Sequence, residues 1–153
     1  MDEIDRRIVG LLQTQARMSY AELARRVGLT SPSVQERVAK LERNEVITGY
    51  RAEINSEAVG LGITALVGIV TLAGSEYSDV AEAIREITEV ESCYFMAGEE
   101  SYLLKVRVGT MAELEQLVNT LSRLPGVGGT RTTIALSTKW EARPQARTDP
   151  PEE

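Results

Sequence analysis

Residues 19–41 read SYAELARRVGLTSPSVQERVAKL, and this stretch predicts two short helices separated by a break of only a few residues. Ser19 and Glu22 have the spacing of a capping box, which starts a helix by pairing two backbone N–H groups with side chains. Gly28 can adopt the left-handed conformation that ends this helix, and Pro32 suits the first turn of the next one. The stretch therefore predicts a helix-turn-helix.

The second helix of the pair, from about Ser31 to Asn44, has one apolar and one polar face. Val34, Val38 and Leu41 recur at the i, i+4 and i+7 positions of a buried stripe. When such a motif binds DNA, its second helix lies in the major groove, so its outward side chains meet bases and phosphates. The candidate DNA-binding residues are Ser31, Ser33, Gln35, Glu36, Arg37, Lys40 and Arg43.

The distribution of charge bears on this interpretation, because the same pair could be a helical corner with a solvated charged face. The net charge of −6 is unusual for a protein that binds nucleic acid. However, residues 1–55 carry +1 and residues 56–153 carry −7. Between Arg25 and Arg43, five basic residues stand against two acidic ones, so the local field can favour phosphate. Composition alone would not establish DNA binding, but it is compatible with the DNA binding that the motif favours.

Composition excludes several other classes of function. With 153 residues, the chain is long enough for two small domains. A single cysteine, Cys93, and the absence of histidine exclude an internal disulfide, the usual zinc and transition-metal sites, and any histidine-based triad. We expect no metal, no cofactor and no catalytic residues. No run of about 18 apolar residues occurs and the first residues are charged, so we expect a cytoplasmic protein without a membrane span.

A further helix precedes the pair and completes a small N-terminal domain. Asp2 can cap this helix, which ends near Gln15 and carries an apolar stripe of Ile4, Ile8, Leu11 and Leu12. Short extended segments on either side of Thr48 and Gly49 predict a wing after the pair. We therefore predict a winged helix-turn-helix DNA-binding domain at residues 1–52 and a glycine-containing hinge at residues 53–62.

The remainder of the chain alternates strand and helix patterns. In chain order, we predict a strand at 63–72, a helix at 78–87, strands at 92–97 and 102–108, a helix that begins with a Thr110–Glu113 capping box, and a strand at 130–138. The order β-α-β-β-α-β predicts a ferredoxin-like α+β domain, whose helices cover one face of an antiparallel sheet. Because the other face stays open, we expect a second subunit to cover it. This domain occupies residues 63–141, and residues 142–153 form a disordered tail.

With these domains in this order, the chain to about Glu141 resembles the Lrp/AsnC family, the leucine-responsive or feast/famine transcription regulators. The matching segments are DEIDRRIVGLL at 2–12, SYAELARRVGLTSPSVQERVAKLE at 19–42, VITGYRAEIN at 46–55, ESCYFMAGEESYLLKVRV at 91–108 and TRTTIAL at 130–136. The resemblance implies a homodimer built through the C-terminal sheets, commonly assembled further to octamers. It also implies double-stranded DNA as a partner and regulation by a small effector, usually an amino acid, held between subunits.

Carried over to this chain, the resemblance places an effector site at the loop between the second and third strands. The implied effector-binding residues are Gly98, Glu99, Glu100, Ser101 and Tyr102, together with Thr132 and Thr133 on the last strand. Family members often carry an aspartate where this chain has Ser101, so Glu99 or Glu100 would supply the negative charge for the ligand's amino group. Backbone amides near Gly98 and the threonine hydroxyls would bind the remaining polar groups.

Two other functions remain open at this point. One is an enzyme on the C-terminal domain, because a fold does not decide a function; Cys93, however, has no histidine to activate it. The other is a DNA-architectural protein without an effector, which would need only multimerisation and bending. Stabilisation of the folded protein by a ligand would distinguish these alternatives from an effector-controlled regulator.

Overall fold

The computed structural model describes residues 1–143, in which residues 1–53 and residues 54–139 form two compact units. The division between the units lies at the start of the segment predicted to be a hinge. The predicted disordered tail lies outside the described residues, apart from Ala142 and Arg143. No helix of the described part is long and apolar enough to cross a membrane.

The first unit consists of three helices: α1 (Glu3–Thr14), α2 (Tyr20–Val27) and α3 (Ser31–Arg43). Asp2 and Asp5 form a reciprocal capping box at the start of α1. The capping box predicted for α2 forms only in half, because Ser19 accepts the N–H of Glu22 while the Glu22 carboxylate binds Arg25 and Arg26.

The turn between α2 and α3 follows the sequence signals closely. Gly28 ends α2 at φ 74°, in the left-handed region that glycine enters without steric cost. Thr30 then caps α3, and the buried stripe of α3 lies against the other two helices. The core of the first unit is Ile8, Leu12, Met18, Leu23, Ala24, Val27, Val34, Val38 and Leu41. Each large side chain buried here contributes about 1.5–3 kcal/mol to stability.

The predicted wing is wrong in form, because the structure has no paired strand between residues 44 and 62. The N–H groups of Val46 and Ile47 both bind the carbonyl oxygen of Leu41, which satisfies the C-terminal end of α3. These groups are therefore not available to pair with a second wing strand. Further along, a short 3-10 helix at Glu57–Val59 ends at Gly60, again in the left-handed region.

The second unit has the predicted order of elements. These are β1 (Ile63–Thr71), α4 (Tyr77–Arg85), β2 (Val90–Phe95), β3 (Tyr102–Val108), α5 (Met111–Ser122) and β4 (Val127–Ile134). The strands pair antiparallel in the spatial order β2-β3-β1-β4. The α+β fold, with a helix-turn-helix followed by a β-α-β-β-α-β domain, is therefore confirmed.

The last strand begins and ends earlier than the predicted range 130–138. Gly126 turns the chain at φ 84°, and Val127 is already buried and paired with Thr71. The strand ends at Ile134, and Leu136, whose alternation with its neighbours suggested a longer strand, is fully exposed. Alternation of apolar and polar residues does not show where backbone pairing stops.

The two faces of the sheet differ in burial. On β3, Tyr102, Leu104, Val106 and Val108 are buried beneath the helices, and they alternate with Leu103, Lys105 and Arg107 on the opposite face. This opposite face, here called the open face, lacks a covering helix within the unit. It leaves Leu66 41% exposed and Tyr94 56% exposed.

Candidate nucleic-acid interface and effector site

The exposed face of α3 carries most of the predicted DNA-binding side chains. Ser33, Gln35, Glu36, Lys40 and Arg43 are exposed, and Ser31 is half-buried. At the start of the helix, the hydroxyls of Thr30 and Ser33 lie 2.9 Å apart. Helix-turn-helix proteins that bind DNA present this end of the second helix to base edges, and hydroxyls and amides such as those of Ser33 and Gln35 are able to form hydrogen bonds with bases. The exposed cations Lys40 and Arg43 lie further along the helix.

Arg37 occupies a different place from the other candidates. Its Nη1 donates to Asp2 Oδ2 at 2.6 Å and to Asp5 Oδ1 at 2.7 Å, which ties α3 to the start of α1. The Asp5 N–H and the Arg37 guanidinium lower the pKa of the Asp2 carboxyl, and the two aspartates raise the pKa of Arg37. Arg37 therefore positions the helix, and the spacing on α3 gave no sign of these partners.

We expect Arg37→Ala to lower the thermal midpoint at pH 7 by clearly more than Lys40→Ala does. The reason is that Asp5 is only 8% exposed and loses its charged partner. Because the folded-state pKa of Asp2 is lowered, this stabilisation is present above the unfolded pKa of about 3.9 and is lost as the pH falls through the folded value. Thermal melts at pH 7 and pH 3 should show the difference shrinking in acid. A pH-independent difference would contradict this role.

The loop between β2 and β3 is hydrogen-bonded to β1 at its C-terminal end, through Ser101. The N–H of Ser101 donates to the carbonyl oxygen of Ile69 at 2.7 Å, and its hydroxyl lies 2.7 Å from that of Thr71. The N–H of Met96 binds the carbonyl oxygen of Ser101 and closes the loop. The side chain of Ser101 thus fixes the loop to β1.

The two acids of this loop pair with Arg131, a residue that the sequence analysis did not select. Arg131 on β4 donates from Nη1 to Glu99 Oε2 at 3.1 Å and to Glu100 Oε1 at 2.6 Å. The hydrogen bond to Glu99 and the charges of both acids raise the pKa of Arg131. The alternation of β4 placed Arg131 on the same face as Thr133, but only the sheet register shows that this face meets the loop.

The predicted effector-binding residues do not all lie on one side of the sheet. Thr133 pairs with Leu66 on the open face, whereas Thr132 pairs with the buried Val67 and lies on the helix side. Tyr102 is also on the helix side, where its hydroxyl donates to the carbonyl oxygen of Tyr77 at 2.7 Å. The structure thus brings Glu99, Glu100 and Thr133 to one face with Arg131, and places the side chains of Tyr102 and Thr132 on the other.

A second charged group lies on the open face near the opposite edge of the sheet. Glu91 accepts from Lys105 Nζ at 2.7 Å and from Arg107 Nε at 2.5 Å. Burial raises the pKa of the Glu91 carboxyl, but the two cations outweigh this effect and the net pKa is lowered. The open face therefore combines exposed apolar side chains with paired charges.

A helix-turn-helix with an exposed polar second helix is typical of DNA-binding proteins, and a separate sheet domain with a charged loop suits a regulatory role. Comparison with known proteins supports this assignment. The model of the AsnC-type helix-turn-helix domain matches residues 1–42, and that of the Lrp/AsnC ligand binding domain matches residues 64–145. The chain belongs to the Lrp/AsnC family.

Individual relatives are similar over nearly their whole length. The transcriptional regulator LrpA of Mycobacterium tuberculosis is 44% identical over 94% of this chain and 95% of its own. A feast or famine regulatory protein from the same organism, solved in complex with L-methionine, is 43% identical with a TM-score of 0.91, covering 95% of this chain and 99% of its own. A Neisseria meningitidis transcriptional regulator, also solved with L-methionine, is 28% identical with a TM-score of 0.87 over 92% and 93%.

These similarities decide between the classes of function. Both domains match those of transcriptional regulators, and the relatives are regulators, so the chain is a DNA-binding transcriptional regulator and not an enzyme. Among residues 1–143, no group of histidine, cysteine and acidic side chains could hold a metal ion.

Proposed function

We propose that this regulator binds duplex DNA through the exposed face of α3, and that an amino acid bound beside the 98–102 loop alters that binding. The observation that carries the proposal is the charged cluster that Glu99 and Glu100 of this loop form with Arg131 on β4. Support also comes from the two relatives solved with L-methionine. The proposal needs no metal or organic cofactor.

We further propose that the open face of the sheet packs against the same face of a second copy. The face exposes Leu66 and Tyr94, and a sheet with an apolar face needs a covering layer. A two-fold dimer would also present two copies of α3, as near-palindromic sites require. Assembly of such dimers to an octamer is what the family resemblance implies. A regulator that binds the chromosome acts in the compartment that holds it, which for this chain would be the cytoplasm.

A screen of the twenty protein amino acids by thermal shift tests the effector part of the proposal. A ligand that binds only the folded state at 100 times its dissociation constant adds about 2.7 kcal/mol to stability. We expect at least one amino acid to raise the thermal unfolding midpoint of the full chain. The D-enantiomers serve as controls. If no amino acid raises the midpoint even at millimolar concentration, the DNA-architectural alternative without an effector is favoured.

A further inference from the structure

Tyr50 joins the segment that follows α3 to the end of that helix. Its hydroxyl donates to Glu42 Oε1 at 2.9 Å, across eight positions of the chain. Burial and the Glu42 carboxylate raise the pKa of Tyr50 to about 12, so the phenol stays a hydrogen-bond donor at neutral pH. Three residues earlier, Ile47 packs against the core of the first unit. The chain therefore stays beside the end of α3 as far as Tyr50.

The second unit holds the other end of this connection. The Asn55 side chain accepts two backbone N–H groups of the short 3-10 helix, at 3.1 and 3.3 Å. Beyond this helix, the carbonyl oxygen of Gly60 lies so close to Gly109 that a Cβ at residue 109 would be 2.6 Å from it. Residues 55–60 are therefore packed against the second unit.

Only residues 51–54 lie between these two attachments. Within the part of the chain that the structure describes, no hydrogen bond or ion pair joins them to other residues. An extended chain spans at most about 3.6 Å per residue, so the connection from Tyr50 to Asn55 reaches about 18 Å. Without the tyrosine hydrogen bond it would start at Ile47. Three further residues would add about 10 Å, which is the length of about three base pairs.

We propose that Tyr50 is a positioning residue, which acts through Glu42 to limit the range of half-site separations that two copies of α3 can span on DNA. The inference rests on the proposed function, in which a two-fold dimer presents two copies of α3. Tyr50 is 47% exposed, so its hydrogen bond is too weak to determine the fold. One such bond is nevertheless enough to change the population of the attached segment by about 2- to 12-fold.

The test measures the affinity of the full chain for duplexes that differ only in half-site separation. The half-sites come from a duplex selected for tight binding to the wild type, which should lose affinity as they are moved one to four base pairs further apart. In Tyr50→Phe, which removes only the hydroxyl, the ratio of the affinities at the preferred separation and at three base pairs more should decrease about 2- to 12-fold. A purely structural role would weaken binding at every separation equally and leave this ratio unchanged.

Variants of Glu42 identify the hydrogen bond as the cause. Glu42→Ala should decrease the ratio as Tyr50→Phe does, and the double variant should decrease it no further, because both substitutions remove the same bond. Glu42→Gln should keep the wild-type ratio, since an amide oxygen also accepts a hydroxyl. Ratios are compared rather than affinities, because removing an acid from α3 strengthens binding to every duplex. Tyr77→Phe, which removes a hydroxyl from an exposed side chain of the second unit, is the matched control.

Limited proteolysis gives a second measurement that needs no DNA. Trypsin cleaves after arginine, and the exposed Arg51 directly follows Tyr50. Proteolysis follows the population of the opened segment, so cleavage after Arg51 should be about 2- to 12-fold faster in Glu42→Ala than in the wild type. This variant is used because its substitution is distant in sequence from the cleaved peptide bond.

Unchanged affinity ratios in both Tyr50→Phe and Glu42→Ala would overturn the inference, as would effects of the two substitutions that add in the double variant. An unchanged rate of cleavage after Arg51 in Glu42→Ala would also overturn it. A wild type that is monomeric in sedimentation, or that prefers no half-site separation, would instead overturn the two-fold arrangement of the proposed function, and this inference with it.

Discussion

The double variant Lys40→Ala/Arg43→Ala should bind every duplex more weakly than the wild type, with a much shallower dependence on salt. Both cations lie on the exposed face of α3. Each phosphate contact contributes about 0.9 to the slope of log K against log salt concentration, and a dimer would lose about four contacts. The slope should therefore decrease in magnitude by about three to four. Fluorescence anisotropy with specific and random duplexes, at several salt concentrations, measures this change.

The control for this variant removes a cation elsewhere. Arg85→Ala, on an exposed part of α4, should leave the slope unchanged. Ser33→Ala/Gln35→Ala should change the preference between sequences more than the affinity for random DNA, because these side chains can bind base edges. Arg37 is left intact in these variants, because its removal would disturb the position of α3. An unchanged slope in the double variant would place the DNA-binding surface elsewhere.

The second large effect is expected when the open face of the sheet is altered, because this face is the proposed dimer interface. Leu66→Asp/Leu103→Asp should convert the full chain to monomers at micromolar concentration. Both residues lie on the open face, and a two-fold interface would contain each substitution twice. Burying a carboxylate without a partner costs several kcal/mol, and each 1.4 kcal/mol is a factor of ten in the dissociation constant. Sedimentation velocity distinguishes monomer from dimer directly.

The matched control for assembly is Met111→Asp. Met111 is 56% exposed at the start of α5, on the helix side of the sheet, and an acid suits the first turn of a helix. This variant should keep the assembly state of the wild type. If the open-face variant remains folded and dimeric, or if the wild type is itself a monomer, the open face is not the subunit interface.

Local signals in the sequence predicted most elements of the fold. The helix-turn-helix followed from Ser19, Gly28 and the apolar stripe of α3, because caps and helical periodicity act within a few residues. The wing was predicted wrongly, because extended residues around Thr48 form strands only if their backbone groups find partners. Here the N–H groups of Val46 and Ile47 bind Leu41 instead.

The functional sites depended more on contacts between distant parts of the chain. The bond of Arg37 to Asp2 spans 35 positions, and the bond of Arg131 to Glu100 spans 31. No periodicity within one element reveals such pairs. The loop was located by family resemblance, whereas the contact of Arg131 with its two acids emerged only from the structure.

The central claim of this account is that an amino acid and DNA affect each other's binding to this chain. Calorimetric titration of the effector into the full chain, with and without a duplex selected for tight binding, tests this claim most directly. A coupling of about 1–3 kcal/mol would change the dissociation constant of the effector by about 5- to 150-fold, and by linkage the affinity for DNA would change by the same factor. We predict dissociation constants that differ within this range between the two titrations. Identical dissociation constants in both titrations would contradict the account, because a ligand that binds both states equally cannot regulate DNA binding.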